Sequence, residues 1–347
     1  MSHFTVLVIG DEPEAQLQPY HEFECTGISD QYVVPVNKTE EAREEYEGST
    51  EYLVRFPDGR EVSKYEKQFY TKKATEKWGN DEFELPTGCI LVEKPTKDVE
   101  PFCKWASDYY GVKIIAVHET PDTSDKGEHC GGWVRVDASG NVIEVIDRTN
   151  PNKRWDWHSL GGRWTGYFPL KSNGNGSSGK PGLMTAKAKP GYVDQARKDA
   201  IDFERLRNEK GESARAEYRK MMAVVGDAPA PESWESVRER FGQDHTGARE
   251  FYNSQPWIVR KNADRDLSWS DAEDFQCTEE EFVQAARDRA GVAFALVKDS
   301  QWFEKGRMGW WGCVHDEKDQ GEWNRKVSQM IDELPGDTLL SVYDCHI

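Results

Sequence analysis

Short apolar runs separated by long polar stretches define the predicted elements of this chain. Residues 4–9 are a β-branched run that ends before Gly10, and residues 338–343 are a second short, largely apolar run. Runs of this length and composition predict buried strands. Further strands are predicted over 89–92 and 112–118, and as the hairpin pairs 52–56 with 61–64, 133–136 with 142–146, and 292–297 with 302–311.

Apolar residues at helical spacing, together with capping residues, predict the helices. Phe102, Trp105 and Tyr109 recur at spacings of three and four, which predicts an amphipathic helix over 98–110. Thr278 and Glu281 form a capping-box pattern, which predicts a helix that begins there. Other helices are predicted over 14–23, from Thr39 onward, and over 193–225, 231–241 and 322–334. The 193–225 tract has a thin apolar stripe and charged faces, which indicates either a solvated helix or one that makes contacts in a homo-oligomer.

The order of these elements predicts an α+β fold in which a mixed sheet joins N- and C-terminal strands, with a largely helical insertion. At 347 residues the chain exceeds the size of about 250–300 residues that one core usually reaches, so more than one domain is expected. The predicted parts are an α+β domain over 1–171, a flexible Gly/Ser-rich linker or loop over 172–192, a helical region over 193–290, and a C-terminal α+β segment over 291–347 that completes the N-terminal core.

Charge and cysteine usage narrow the classes of partner and compartment. The net charge is −18, from 45 basic and 63 acidic residues, and such a surface repels nucleic-acid phosphates, so no direct nucleic-acid binding is expected. The same charge favours either simple solubility or contact with the basic face of another protein. Seven scattered cysteines without a CxxC pair indicate reduced thiols. Because no apolar run approaches the roughly 20 residues that span a bilayer, we expect a cytoplasmic protein without membrane association.

The densest candidate site is the segment 155–164, which contains Trp155, Asp156, Trp157, Arg163 and Trp164. Indole rings bind planar or cationic groups, and a guanidinium can hold a carboxylate or phosphate through two parallel hydrogen bonds. The segment therefore predicts a binding pocket that suits a small phosphorylated ligand. The alternative is a structural corner in which Trp and Arg side chains stack beside a buried carboxylate.

A second aromatic and glycine-rich segment lies at 302–312 and includes Trp310 and Trp311. Trp and Arg are enriched at the energetic centres of protein interfaces, so this segment and the first predict one cleft or one protein-binding surface. Packing in a core is the alternative interpretation of this second segment.

Three histidines are candidate catalytic groups. His3 and His118 each stand in a His-x-Thr pattern, and a pair of such patterns is what a two-histidine phosphoesterase uses for acid and base catalysis. His346 and Asp344 share one face of the last strand because side chains repeat every second residue. If the two terminal strands pair, His3 lies near His346. The alternative is that these histidines are unrelated to one another.

The common signatures of enzymes and cofactor sites do not occur in the sequence. There is no HExxH, Walker loop or GxSxG pattern, and Asp11 and Glu12 interrupt any glycine-rich cradle after the first strand. We therefore expect no cofactor and no metal, and the sequence leaves open whether the protein is an enzyme, although it favours a non-enzymatic role.

Three blocks of sequence carry a resemblance to other proteins. The chain opens MSHFTVLVIG, has WDW followed by GGRW in its middle, and closes DCHI. Together these blocks resemble an uncharacterised family carried by bacteriophages and prophages, which implies a phage setting and no particular reaction. The hypothesis that this setting favours is an accessory protein that binds and inhibits a host protein complex of anti-phage defence. The alternatives are an enzyme or sponge for a small phosphorylated or nucleotide immune signal, and a structural phage component.

Overall fold

The computed structural model describes residues 2–22, 30–71, 82–124, 126–182, 189–309 and 313–347. Contacts divide the chain into two compact units. Unit 1 comprises residues 1–19 and 154–347, and unit 2 comprises residues 20–153. These boundaries differ from the predicted ones, because the first strand and the Trp-rich segment of the predicted 1–171 domain both join the sheet of unit 1.

Strands and helices are numbered here in chain order over the described residues. The strands are β1 (His3–Ile9), β2 (Val34–Asn37), β3 (Thr50–Arg55), β4 (Glu61–Ser63), β5 (Tyr70–Thr71), β6 (Glu82–Phe83), β7 (Ile90–Pro95), β8 (Lys113–Ala116), β9 (Gly132–Val136), β10 (Val142–Thr149), β11 (Trp157–Leu160), β12 (Phe168–Pro169), β13 (Gly176–Ser177), β14 (Tyr192–Val193), β15 (Gln195–Arg197), β16 (Ala295–Lys298), β17 (Gln301–Glu304), β18 (Arg307–Met308), β19 (Val314–His315) and β20 (Leu339–His346). The α-helices are α1 (Pro13–Leu17), α2 (Thr39–Gly48), α3 (Phe102–Tyr110), α4 (Phe203–Val225), α5 (Trp234–Phe241), α6 (His245–Ser254), α7 (Pro256–Ala263), α8 (Glu279–Asp288) and α9 (Gln320–Glu333).

A mixed sheet, seven-stranded over the residues that are described, forms the centre of unit 1. Its order is β13-β15-β20-β1-β16-β17, and β11 pairs with β20 along the same edge as β15. Strand β1 runs antiparallel to β20 and parallel to β16. This sheet confirms the predicted α+β class and the predicted joining of N- and C-terminal strands.

One face of this sheet is apolar at one end and polar at the other. Leu7 of β1 and Val342 of β20 are buried in a cluster with Val327 and Ile331 of α9. Burying such a side chain contributes about 1.5–3 kcal/mol, so this packing fixes the register of the two strands. Further along the same strands the residues that share this face are polar, and they include the candidate histidines.

The helices of unit 1 form a second apolar cluster beside the sheet. Met221 and Val225 of α4 are buried against Trp257 and Ile258 of α7, so the apolar stripe of α4 is covered within the chain. The capping box at Thr278 is present and α8 begins after it, as predicted. Among the described residues, no helix combines the length and apolar character that crossing a membrane requires.

Two segments of unit 1 differ from the sequence predictions. The predicted helix over 193–225 begins only at Phe203, because Val193 and Ala196 belong to strands that pack into the core and Asp202 caps the helix. The described part of the Gly/Ser-rich segment lies within unit 1, where Gly176 and its neighbour form β13. Residues 183–188 of that segment lie outside the described residues.

Unit 2 contains two larger sheets and two helices over its described part. The sheet β2-β10-β9-β8 packs against α2 and α3, where Trp105 and Val134 are buried together. A separate three-stranded sheet has the order β4-β3-β7, and Val54 on one of its faces is buried with Phe69. Both hairpins predicted for this region are present.

Candidate active site

Two histidines from opposite ends of the chain meet at the polar end of the unit 1 sheet. The antiparallel register of β1 and β20 places His3 directly opposite His346. Their ring centroids are 4.8 Å apart, and the rings are inclined by 75°. The side chains are 12% and 6% exposed, respectively, so both imidazoles lie mostly out of water.

Each imidazole is held by its own carboxylate. Nδ1 of His3 lies 2.8 Å from Oδ1 of Asp344, and Nδ1 of His346 lies 2.8 and 2.9 Å from the two carboxylate oxygens of Asp156. A carboxylate only accepts hydrogen bonds, so Nδ1 donates in both pairs. Nε2 of each ring is then the atom available for a substrate, and the carboxylates orient the rings as in catalytic triads.

The two carboxylates differ in their surroundings. The Asp344 side chain is 2% exposed, and its second oxygen accepts the backbone N–H of Arg163 at 2.9 Å. The Asp156 side chain is 40% exposed, and its Oδ1 also accepts the backbone N–H of Trp157 at 2.7 Å. The Asp344 carboxylate is therefore buried, whereas the Asp156 carboxylate borders solvent.

Trp157 forms an aromatic wall of the site. Its ring is nearly parallel to that of His346, with an interplanar angle of 17° and centroids 5.1 Å apart, and it meets His3 edge-on at 5.3 Å. The residue is nevertheless 44% exposed. This indole covers the imidazoles and at the same time presents an accessible aromatic surface.

A glycine turn carries the backbone that contacts Asp344. Gly161 and Gly162 have φ values of +69° and +50°, and a Cβ on Gly162 would overlap the Asp344 side chain. Asp194, which is fully buried, secures the following loop by accepting the backbone N–H groups of Gly166 and Tyr167. The sequence does not indicate this role of Asp194, because its segment lies within the predicted helix over 193–225.

The remaining predicted site residues are dispersed. Trp155 is 2% exposed and packs against His158, while Arg163 is exposed and contacts Asp344 only through its backbone. Trp164 is half-buried. His118 is exposed and belongs to unit 2. The predicted binding residues Trp310 and Trp311 lie outside the described residues.

The cluster suits proton transfer. Two oriented imidazoles can act together, one as base and one as acid, when one ring is neutral and the other protonated. Within the part of the chain that the structure describes, no group of three or more His, Cys, Asp or Glu side chains is arranged to hold a metal ion.

Cys345 lies between the two site residues of β20 but points to the opposite face, where it is buried. Burial raises the pKa of the Cys345 thiol well above its ordinary range, so the thiol stays protonated at about pH 8. Since alkylation requires the thiolate, we expect iodoacetamide to modify the exposed Cys313 in the folded protein and Cys345 only after denaturation. Peptide mass mapping measures this, and equal modification of both thiols in the folded state would contradict the buried placement.

The same shift makes stability dependent on pH. The folded chain holds the Cys345 proton more tightly than the unfolded chain does. The contribution of this thiol to the free energy of unfolding is therefore complete below the ordinary thiol pKa of about 8.5. Above that pH the unfolded chain releases the proton first. The contribution of Cys345 to the free energy of unfolding therefore decreases as the pH rises above this value.

Comparison of the chain with protein-family models, with curated proteins and with solved structures finds no match.

Proposed function

We propose that the protein is a general acid–base catalyst that acts on a small phosphorylated molecule, with His3 and His346 as the groups that transfer protons. The observation that supports this proposal is that each imidazole has its Nδ1 on a separate carboxylate and the two rings are 4.8 Å apart. One histidine bound to one carboxylate is a frequent structural feature. Two such pairs side by side supply both a base and an acid.

The proposed reaction is hydrolysis of a phosphate ester. The neutral imidazole takes a proton from water as the water oxygen forms a bond to phosphorus, and the protonated imidazole gives its proton to the leaving oxygen as the ester P–O bond breaks. The two histidines end with exchanged protonation states, which solvent restores. Phosphoryl transfer requires positioning and charge stabilisation, and we assign the second role to Arg163, whose backbone contacts Asp344 and whose exposed side chain carries a positive charge.

Trp157 favours a substrate that contains a planar ring. Stacking of a base on an aromatic side chain contributes about 1–3 kcal/mol, and the accessible indole lies directly beside both imidazoles. A nucleotide signal has both the phosphate and the ring. Together with the resemblance to phage proteins, this supports a role in the cytoplasm of an infected bacterium, where such signals act in defence.

The test is incubation of the purified protein with cyclic dinucleotides, linear dinucleotides, nucleoside cyclic phosphates and phosphomonoesters, followed by ³¹P NMR. We expect the wild-type protein to consume at least one class, and the double variant His3→Asn/His346→Asn to consume none. Asparagine retains a donor for each carboxylate and cannot transfer protons at neutral pH. Absence of turnover of every class by the wild-type protein would contradict the proposal.

A second proposed function is inhibition of a host defence complex by binding to it, and unit 2 supplies the observation that favours it. Of the sixteen large apolar side chains that are exposed among the described residues, eleven belong to unit 2. The sequence of this unit has 27 acidic and 17 basic residues, a net charge of −10. Exposed apolar groups on an acidic surface are suited to a partner with a basic face.

This second function is tested by recovery of a stoichiometric host protein with the tagged protein from infected cells. We expect recovery to be unchanged by His3→Asn/His346→Asn, and we expect association to slow as salt rises from about 0.05 to 0.5 M, because charge steering is screened. Recovery of no host protein would remove this function. An association rate that is indifferent to salt would remove the role of charge.

A further inference from the structure

The three-stranded sheet of unit 2 has apolar residues on both faces. Val54 lies on one face and is buried, although its strand partner Leu91 is 45% exposed, and Leu53 lies on the opposite face. Strand pairing places Ser63 opposite Leu53, and Ile90 opposite Arg55, so these residues share the second face, which we call the Leu53 face. Ile90 is 54% exposed on this face.

A groove runs between the Leu53 face of the sheet and the segment that leads into α3. Its volume is about 610 Å³, within the range of about 300–1,000 Å³ that is typical of ligand-binding clefts. The apolar part of its lining consists of Leu53, Val99 and Tyr65. Val99 is 40% and Tyr65 is 64% exposed, whereas Leu53 is 6% exposed at the base.

The charged lining of the groove is mainly acidic: four carboxylates face one cation, Lys104, which is paired with Glu100 and Asp108. Glu61 is paired with Arg55 and Lys94, and these hydrogen bonds lower the pKa of the Glu61 carboxyl. Glu51 and Asp98 also line the groove, and they form no ion pair with any residue that the structure describes. Two carboxylates beside an apolar floor attract a segment that carries both cationic and apolar side chains.

We propose that this groove binds a basic, amphipathic segment of a partner protein. Apolar side chains of the segment contact Leu53 and Val99, and lysine or arginine side chains pair with Glu51 and Asp98. The carboxylates repel acidic peptides and phosphorylated ligands, so the charge of this surface favours a basic segment over either of them. This inference rests on the second proposed function and names the surface that the host protein would contact.

The test uses the full-length protein and a fluorescent synthetic peptide in which leucine and lysine alternate, with binding followed by anisotropy at about 0.15 M salt. We expect the double variant Glu51→Lys/Asp98→Lys to weaken binding at least about tenfold, because two rim charges change from attraction to repulsion. The matched control is Glu40→Lys/Glu44→Lys on α2, which changes the net charge equally at exposed positions. It should bind within about twofold of the wild-type protein.

The apolar contribution is tested separately. Val99→Ser removes apolar contact at an exposed position, and we expect weaker binding of the leucine–lysine peptide and little change for a serine–lysine peptide of equal charge. Equal losses of peptide affinity in the two charge variants would show that only net charge matters. This result would overturn the proposal that the groove is the binding site. Binding of a leucine–glutamate peptide as tight as that of the leucine–lysine peptide would do the same.

The two proposals fail in different ways. A host protein that is still recovered with Glu51→Lys/Asp98→Lys would overturn the groove and leave the second function intact. Failure of the wild-type protein to recover any host protein would remove the second function, whatever the peptide result.

Discussion

Asparagine in place of His3 or His346 is expected to lower turnover of the proposed phosphorylated substrate by about 10²–10⁴-fold, which is the contribution of a positioned acid or base. The amide retains a hydrogen-bond donor for Asp344 or Asp156, so neither carboxylate is left unpaired. The measurement is kcat and kcat/KM for each single variant, with thermal unfolding to show that the fold persists. His315→Asn, at an exposed histidine of β19, is the matched control and should retain wild-type turnover.

The pH profile distinguishes catalysis from a structural role. An enzyme that uses one neutral and one protonated imidazole gives a bell-shaped dependence of kcat/KM on pH, and loss of either imidazole should remove one limb of the bell. Variants that keep both limbs, or that lose less than about tenfold in turnover, would show that the histidines only hold the strands together.

The two ends of the site differ in how far the sequence predicted them. Alternation along the last strand places Asp344 and His346 on one face. If the first and last predicted strands pair, His3 is expected to lie near them. The register that places His3 opposite His346 depends on Leu7 and Val342, because these two residues pack against α9. Local sequence predicts each strand, but only the shared core sets their alignment.

Asp156 shows why the rest of the site was less predictable. The sequence marks the segment around it as a pocket of indoles and an arginine, yet Trp155 is buried on the other side of the sheet and the Arg163 guanidinium does not pair with Asp344. The side-chain contact that orients His346 is instead made by Asp156, 190 positions away along the chain. Such a contact depends on β11 adding to β20, and nothing in the spacing of the segment specifies that edge.

The same limit applies to the segment before α4. Its charged, glycine-poor sequence favours a helix, but Val193 and Ala196 are buried in the sheet core. Asp194 accepts hydrogen bonds from backbone N–H groups of two loops. Burial of apolar side chains and satisfaction of a buried carboxylate outweigh helix propensity there. The outcome matters for the site, because Asp194 secures the loop that follows Gly162.

Alanine in place of Gly162 is expected to lower the free energy of unfolding by about 2–5 kcal/mol and to impair turnover at the same time. The φ of +50° costs an L-residue about 1–2 kcal/mol, and overlap of the new Cβ with the Asp344 side chain adds about 1–3 kcal/mol. Because Asp344 must move, its hydrogen bond with His3 is expected to be lost. Urea unfolding followed by tryptophan fluorescence measures the stability, and kcat measures the site.

Gly191→Ala is the matched control in the same unit. Its φ is +76°, and no atom lies within 4 Å of the position that a Cβ would occupy. This variant therefore has the energetic cost of a positive φ but no steric overlap of the new Cβ. We expect it to lose only about 1–2 kcal/mol and to keep its turnover. Equal losses of stability in the two variants would mean that the turn at Gly162 does not press on Asp344. The close approach of backbone to carboxylate would then not be what orients His3.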